Sequence, residues 1–276
     1  MYIGIDVSEF QGNIDFKKVK NSGCDFVIVR SGYDEYYVDP YFEQNVNNAK
    51  SNGLHVGVYW FMYFTNEKEA EEHADIFIKL LEKFKGKIDY PVALDVEEDT
   101  YRYMKQMGVN PTPKTITNLV KIFCKRVEKA GYYVMIYSNL NGFNNYMNDV
   151  SEFDTWLAQY DGKKPYRTCG IWQHTSTGSV NGVNGDVDMN VSYVDYPTLL
   201  RNTNLNHLNV VKPPTSTIKV GDTVAVTNAI VYGTNKKFVC WHKTYEVIEV
   251  AGDRIVIGKN GIVTAPISIN NVVKVK

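Results

Sequence analysis

Strand and helix signals alternate along the first 150 residues, and no other feature limits the possible folds as much. Apolar runs rich in β-branched and aromatic residues occupy 2–6, 26–31, 56–61, 92–97 and 133–138, with helical spacing between them. Asp39-Pro40 reads as an N-cap followed by a first-turn proline, ahead of Phe42, Val46 and Ala49. Asn66 with Glu69 resembles a capping box before the stripe Ala70, Ala74, Phe77 and Leu81. Thr112-Pro113 opens a third helix, whose Ile116, Leu119, Val120, Phe123 and Val127 face inward, and Gly53, Gly86 and Gly131 stand where helices should stop. Repeated strand–helix units predict a mostly parallel sheet, open or closed into a barrel. Strand signals at 155–160, 170–174 and 186–190 leave no room for full helices. The fold class expected is therefore α/β, an irregular TIM-like (β/α) barrel with helix-poor last strands.

The 276 residues allow one large domain or two unequal ones. Charge divides them: residues 1–202 carry net −6, residues 203–216 only Lys212, and residues 217–276 net +4. Polar residues and Pro213-Pro214 mark the middle segment as a linker. The expected layout is a barrel over 1–202, a linker over 203–216 and a small all-β domain over 217–276. That last domain should have strands at 223–226, 244–250, 254–257 and 272–275 and a turn at Ala251-Gly252-Asp253.

A net charge of −1 excludes a strongly basic nucleic-acid binder as the default. No apolar run approaches the ~20 residues that span a bilayer, so membrane insertion is not expected. Residues 1–6 have neither the basic nor the apolar region of a secretory signal, which predicts synthesis without one, or its prior removal. Four cysteines are too few for a disulfide scaffold, and Cys24 and Cys124 read as buried thiols.

Acids stand at strand ends. Asp95-Val96-Glu97 follows Tyr90-Pro91-Val92-Ala93-Leu94, and on a strand residues i and i+2 share a face, about 6–7 Å apart at Cα. Such a pair at the C-terminal mouth of a barrel disfavours double ionisation, so one carboxyl stays protonated, as a general acid for glycosidic cleavage requires. A solvated strand end is the plainer reading, since Glu98 and Asp99 follow. Asp6 ends the first strand in the same manner, and Asp186-Val187-Asp188 ends the last. Aromatic residues cluster nearby: Tyr59-Trp60-Phe61, Tyr137, Trp156, Tyr160 and Trp172, either sugar-stacking surfaces or core. The histidines are scattered, so no zinc site is expected. Asp95 and Glu97 as Mg²⁺ or Ca²⁺ ligands are a weak alternative, and no cofactor motif occurs.

Taken together, Ile5-Asp6-Val7-Ser8 with Gln11-Gly12, Arg30-Ser31-Gly32, Tyr59-Trp60-Phe61, Asp95-Val96-Glu97, Tyr137-Ser138, Trp156-Leu157-Ala158-Gln159-Tyr160, Trp172-Gln173 and Val187-Asp188-Met189-Asn190 resemble the family 25 glycoside hydrolases, peptidoglycan lysozymes. The resemblance implies five β/α units with three further strands. It also implies hydrolysis of the β-1,4 bond from N-acetylmuramic acid to N-acetylglucosamine. By position, Glu97 would be the general acid and Asp95, Asp6 and Asp188 the flanking carboxylates. Arg30, Tyr59, Tyr137, Trp156, Trp172 and Gln173 would contact substrate, with Arg30 where many members have lysine. No metal or cofactor is implied.

Lys219-Val220-Gly221-Asp222, Tyr232-Gly233 and the hairpin over 245–258 are similar to bacterial SH3-like wall-binding modules, whose net positive charge here would suit anionic wall polymers. A lysozyme followed by a wall binder resembles a bacteriophage or prophage endolysin, made in the host cytoplasm and reaching the wall through holin pores. The rivals are another barrel glycosidase such as a chitinase, whose DxxDxDxE run is absent here, and a non-catalytic carbohydrate-binding protein.

Overall fold

The computed structural model describes residues 1–34, 37–208, 218–234 and 236–275. The chain forms two compact units, Met1–Val210 and Val211–Lys276.

In the first unit the elements run β1 (Tyr2–Val7), α1 (Phe16–Asn21), β2 (Phe26–Asp34), β3 (Tyr37–Val38), α2 (Phe42–Ser51), β4 (His55–Phe61), α3 (Glu67–Glu82), β5 (Val92–Asp95), α4 (Glu98–Gln106), α5 (Pro113–Lys129), β6 (Val134–Asn139), β7 (Asp154–Ala158), β8 (Ile171–Gly178), β9 (Val187–Ser192) and α6 (Tyr196–Thr203). The sheet closes on itself in the order β1, β2, β4, β5, β6, β7, β8, β9, with β9 pairing back to β1 and β3 appended to β2. Neighbours are parallel from β1 through β8, whereas β9 runs antiparallel to both β8 and β1. The result is a mixed α/β fold around an eight-stranded closed barrel. The short connection from β8 to β9 explains the reversal, because a parallel crossover needs a dozen residues or more.

Alternation along the strands sorts side chains to two cores. Phe26, Ile28, Ala93, Met135, Trp156 and Ile171 fill the inside of the barrel. Val27, Val29, Val56, Val58, Leu94, Ile136 and Leu157 belong to the outer core, with Phe42, Phe77 and Phe123 of the helices. At Gly4 an added Cβ would fall 2.5 Å from the Phe26 ring, so glycine is what lets that ring lie across β1.

Three local readings change. Asp39 does not cap α2. Its Oδ1 accepts from Tyr41 N in a tight turn, while Oδ2 is committed to Arg30, so the helix starts at Phe42. Asn66 does cap α3, but Glu69 reaches past it to Thr65 N and Oγ1. Asp186-Val187-Asp188 opens β9 rather than ending a strand. Helices α1, α4 and α6 were not expected; all three are short, at six, nine and eight residues, which leaves little periodicity to detect.

The linker boundary also moves. Residues 204–208 pack on the barrel: buried Asn206 donates through Nδ2 to Tyr90 O (2.8 Å) and accepts from Tyr133 N at Oδ1 (2.7 Å). His207 Nε2 pairs with Ala130 O at 2.9 Å. The rest of the expected linker, with Pro213-Pro214, lies outside the described residues.

The second unit is an antiparallel sheet, ordered β13-β12-β11-β10-β14, of β10 (Thr223–Val226), β11 (Tyr245–Ala251), β12 (Arg254–Lys259), β13 (Ile262–Ser268) and β14 (Val272–Lys274). Val224, Tyr245, Val247, Ile255, Ile257, Ile267 and Val272 form its own core. Strand β13 was not expected, and it carries Pro266, a residue disfavoured in a strand interior. Proline is tolerated in this outermost strand, and its carbonyl accepts from Tyr232 N.

Candidate active site

Because β1 to β8 are parallel, their C-terminal ends share one mouth, and the reversed β9 brings its N-terminal end to the same mouth. Asp6 near the end of β1 and Asp188 near the start of β9 are therefore directly opposed residues of one ladder. Asp95 is the last residue of β5. Glu97 lies just beyond, still extended (φ −141°, ψ −170°), so both project to the same side before α4 begins. The peptide between them is tied to β6: Val96 N donates to Tyr137 O (3.0 Å), and Ser138 Oγ donates to Val96 O (2.6 Å).

Burial raises the proton affinity of all four acids, and repulsion from neighbouring acids adds to it at Asp6, Asp95 and Glu97. Asp95 is 4% exposed, and burial, then the neighbouring Glu97, hold its carboxyl well above the usual range. Burial also raises Glu97. The two carboxyls act on one another, which raises Asp95 further and draws Glu97 down, so double ionisation of the pair is disfavoured. Burial and the Asp188 charge push Asp6 up to about 8, and burial pushes Asp188 up to about 6.

Amides surround Asp6. Gln173 Nε2 (2.8 Å) and Asn190 Nδ2 (2.7 Å) both donate to its Oδ2. Tyr137 OH (2.8 Å) and Tyr160 OH (2.7 Å) donate to Gln173 Oε1, and Trp156 Nε1 donates to Asn190 Oδ1 (2.7 Å). Arg30 is pinned by Asp39 (Nε to Oδ2, 2.9 Å) and Glu9 (Nη2 to Oε1, 2.6 Å), and its charge opposes the rise in the Asp95 carboxyl.

A cleft of about 440 Å³ opens beside Glu97, lined by Tyr137, Asn139, Ala158, Gln159 and Tyr160. A larger groove of about 770 Å³ lies outside the barrel by the starts of α3 and α5 and contains none of the four acids. Among the described residues, no three His, Cys, Asp or Glu side chains converge as a metal site needs.

Residues 5–183 match the model of glycosyl hydrolases family 25. The chain belongs to that family. It is a glycoside hydrolase. It is 32% identical over 200 residues to the uncharacterized protein YegX of Escherichia coli, covering 68% of each chain. To the autolytic lysozyme of Clostridium acetobutylicum it is 28% identical over 189 residues, covering 67% of this chain and 54% of the relative. The modular autolysin LytC of Streptococcus pneumoniae, in complex with a synthetic peptidoglycan ligand, superposes with a TM-score of 0.62 at 29% identity. That match covers 70% of this chain and 46% of LytC.

In this family 25 hydrolase the indoles lie deeper than their place at strand ends suggested. Trp156 is 1% exposed inside the barrel, and Trp60 is fully buried in the outer core. Trp172 is buried, with Nε1 donating to Gln159 O (2.8 Å). Tyr137 and Tyr59 meet the Trp156 ring edge-on at 4.6 and 6.0 Å. Half-buried rings stand at the rim instead: Tyr63 packs against Tyr33 (5.4 Å), Phe61 (4.7 Å) and Tyr103 (5.1 Å). The aromatic run Tyr59–Phe64 was the available signal, but its alternation assigns Tyr59 to the barrel interior and leaves the residues after β4 undetermined. Asn190, whose Nδ2 donates to Asp6, also belongs to the site, and no local sequence pattern singles it out.

Proposed function

We propose that this hydrolase cleaves peptidoglycan at the β-1,4 bond from N-acetylmuramic acid to N-acetylglucosamine. The observation that carries the proposal is that the neighbouring acids Asp95 and Glu97 stand at the same barrel mouth as the opposed pair Asp6 and Asp188. Glu97, the more open of the pair, donates a proton to the glycosidic oxygen as the bond to the anomeric carbon breaks, and burial favours its protonated form. Positive charge then grows on the sugar ring. Asp6 and Asp188 lie opposite one another on one ladder, and positive charge growing between them favours their ionised forms, so they stabilise the transition state more than the ground state. The half-buried Tyr63 and Phe61 rings offer sugar-stacking faces, Tyr59 and Tyr137 border the acids, and buried Trp156 and Trp172 support them from below.

Mass spectrometry of products from purified peptidoglycan is the deciding experiment. Reducing-end muramic acid is expected; reducing-end glucosamine overturns the bond assignment, and no release of fragments favours a binding protein. Lysis should be unchanged by EDTA, measured as loss of wall turbidity. Loss of activity restored by Mg²⁺ or Ca²⁺ would instead make Asp95 and Glu97 metal ligands.

We further propose that the second unit is SH3-like and holds the enzyme on anionic wall polymers, as in an endolysin made in the host cytoplasm and acting at the wall after release. Supporting this are the net charge of +4 over residues 217–276 and the β10–β11 connection, where Trp241 is 79% exposed. Lys236, Lys237 and Lys243 beside it form no ion pair among the described residues. Truncation to residues 1–210 should leave turnover on soluble fragments unchanged and weaken lysis of intact cells, since tethering gains reach roughly 10²–10⁴. Truncation at 202 should also destabilise the barrel, because it removes Asn206. An unchanged rate on cells after truncation at 210, with no binding of the isolated second unit to walls, would refute the targeting role.

A further inference from the structure

Asp6 is the most enclosed carboxylate of the site apart from Asp95, and burial and the neighbouring acids oppose its ionisation. Asp188 on β9 and Glu97 after β5 repel its charge, and it in turn raises Asp95 on β5, Tyr59 on β4, Tyr137 on β6 and Tyr160 after β7. The countering groups are the Asn190 and Gln173 side chains, whose N–H bonds both go to Oδ2. An amide is a two-faced group. Turned over, it would present a carbonyl oxygen to Asp6 and favour the protonated acid instead. The direction of each amide therefore decides which charge state Asp6 prefers.

That direction is set one step further out. The Trp156 indole N–H can only donate, so its partner at 2.7 Å must be the Asn190 oxygen, and the Asn190 nitrogen is left to face Asp6. Both phenols that reach Gln173, Tyr137 at 2.8 Å and Tyr160 at 2.7 Å, meet one atom, Oε1, and keep Nε2 on Asp6. Asn190 and Trp156 are each no more than 1% exposed, so water does not compete for the bond between them.

We infer that Asn190 and Gln173 are positioning residues, locked by Trp156 and by Tyr137 with Tyr160 so that their N–H groups face Asp6 and favour its carboxylate form. This assigns Gln173 a task other than contact with substrate. Both amides act on Oδ2, so neither occupies Oδ1. The lock itself is independent of the peptidoglycan reading; only its effect on activity rests on Asp6 taking part in catalysis.

The test is carbon-13 NMR titration of the Asp6 carboxyl in the full-length protein, with Trp156→Phe and the double variant Tyr137→Phe/Tyr160→Phe. Removing the indole N–H frees Asn190 to turn over, and removing both hydroxyls frees Gln173. Each change should move the Asp6 midpoint upward by about one pH unit, since a hydrogen bond to a charged group is worth roughly that much. The acid limb of the kcat/KM profile should follow it. If the carboxyl midpoint moves and the activity profile does not, the lock stands and Asp6 is not the ionised catalytic group. If thermal stability falls while the midpoint stays in place, the residues are merely structural and the proposal fails. Should Trp156→Phe not fold, the tyrosine pair, which removes only two oxygens, decides the Gln173 half.

Discussion

Glu97→Gln should leave a folded protein that has lost at least 100-fold of its wall-lytic rate. The amide matches the carboxyl in size, and Glu97 is only half-buried, so the substitution opens no cavity. The Glu97 backbone N–H, which donates to Thr100 Oγ1 at 3.3 Å, is untouched, so α4 still starts where it does. What disappears is the transferable proton, and positioned proton transfer supplies about 10²–10⁴ in rate. Asp95 cannot replace it, being almost fully enclosed with Oδ1 unpartnered among the described residues. Removing Glu97 also removes the second-largest cause of the high proton affinity of Asp95, so its carboxyl should titrate lower in the variant. A rate within tenfold of wild type, with an unchanged melting temperature, would refute the assignment of Glu97 as the acid.

The barrel was legible in the sequence because its signals are local. Buried runs such as Phe26–Asp34, and the start signals at Asn66 and Thr112, depend on neighbours within a few residues. The acids were legible for the same reason, since a charged residue directly after a buried strand stands out. What could not be read depends on the closure of the barrel. The bond between Gln173 and Asp6 joins residues 167 apart in sequence, and that between Asn190 and Asp6 joins residues 184 apart. No local pattern distinguishes an asparagine aimed at a carboxylate from one in a turn. Asp39 illustrates the converse: Asp-Pro is a sound capping signal, but a buried guanidinium nine residues earlier claims the carboxylate more strongly than a helix end does. The tryptophans were misplaced in depth because a strand end fixes height along the barrel and leaves open whether the ring points to solvent or across the interior.

Asp6→Asn and Asp188→Asn should each lower kcat by about 10²–10³ with KM little changed, the size found when one group that stabilises developing charge is removed. The asparagine oxygen at position 6 can still accept from Asn190 and Gln173, so the fold is retained. The two variants differ in their pH dependence. Asp188 is the leading charge that raises Asp6, so Asp188→Asn should bring the Asp6 midpoint below about 8 and move the acid limb of the activity profile down. Asp6 also has a stability signature. Its proton is held up to about 8 in the folded state and only to about 3.9 in the unfolded chain, so between those values the folded state binds more protons. Stability from this group is therefore lost as pH rises through that window. Asp6→Asn removes the group, so the melting temperature of the variant relative to wild type should increase steadily from about pH 4 to pH 8. At roughly 2–4 °C per kcal/mol for a domain of this size, the trend is measurable by calorimetry. A pH-independent difference would mean that Asp6 is ionised throughout that range, and the strain attributed to the opposed acids would be absent. A raised KM with kcat unchanged would make both acids substrate-positioning groups rather than stabilisers of the transition state.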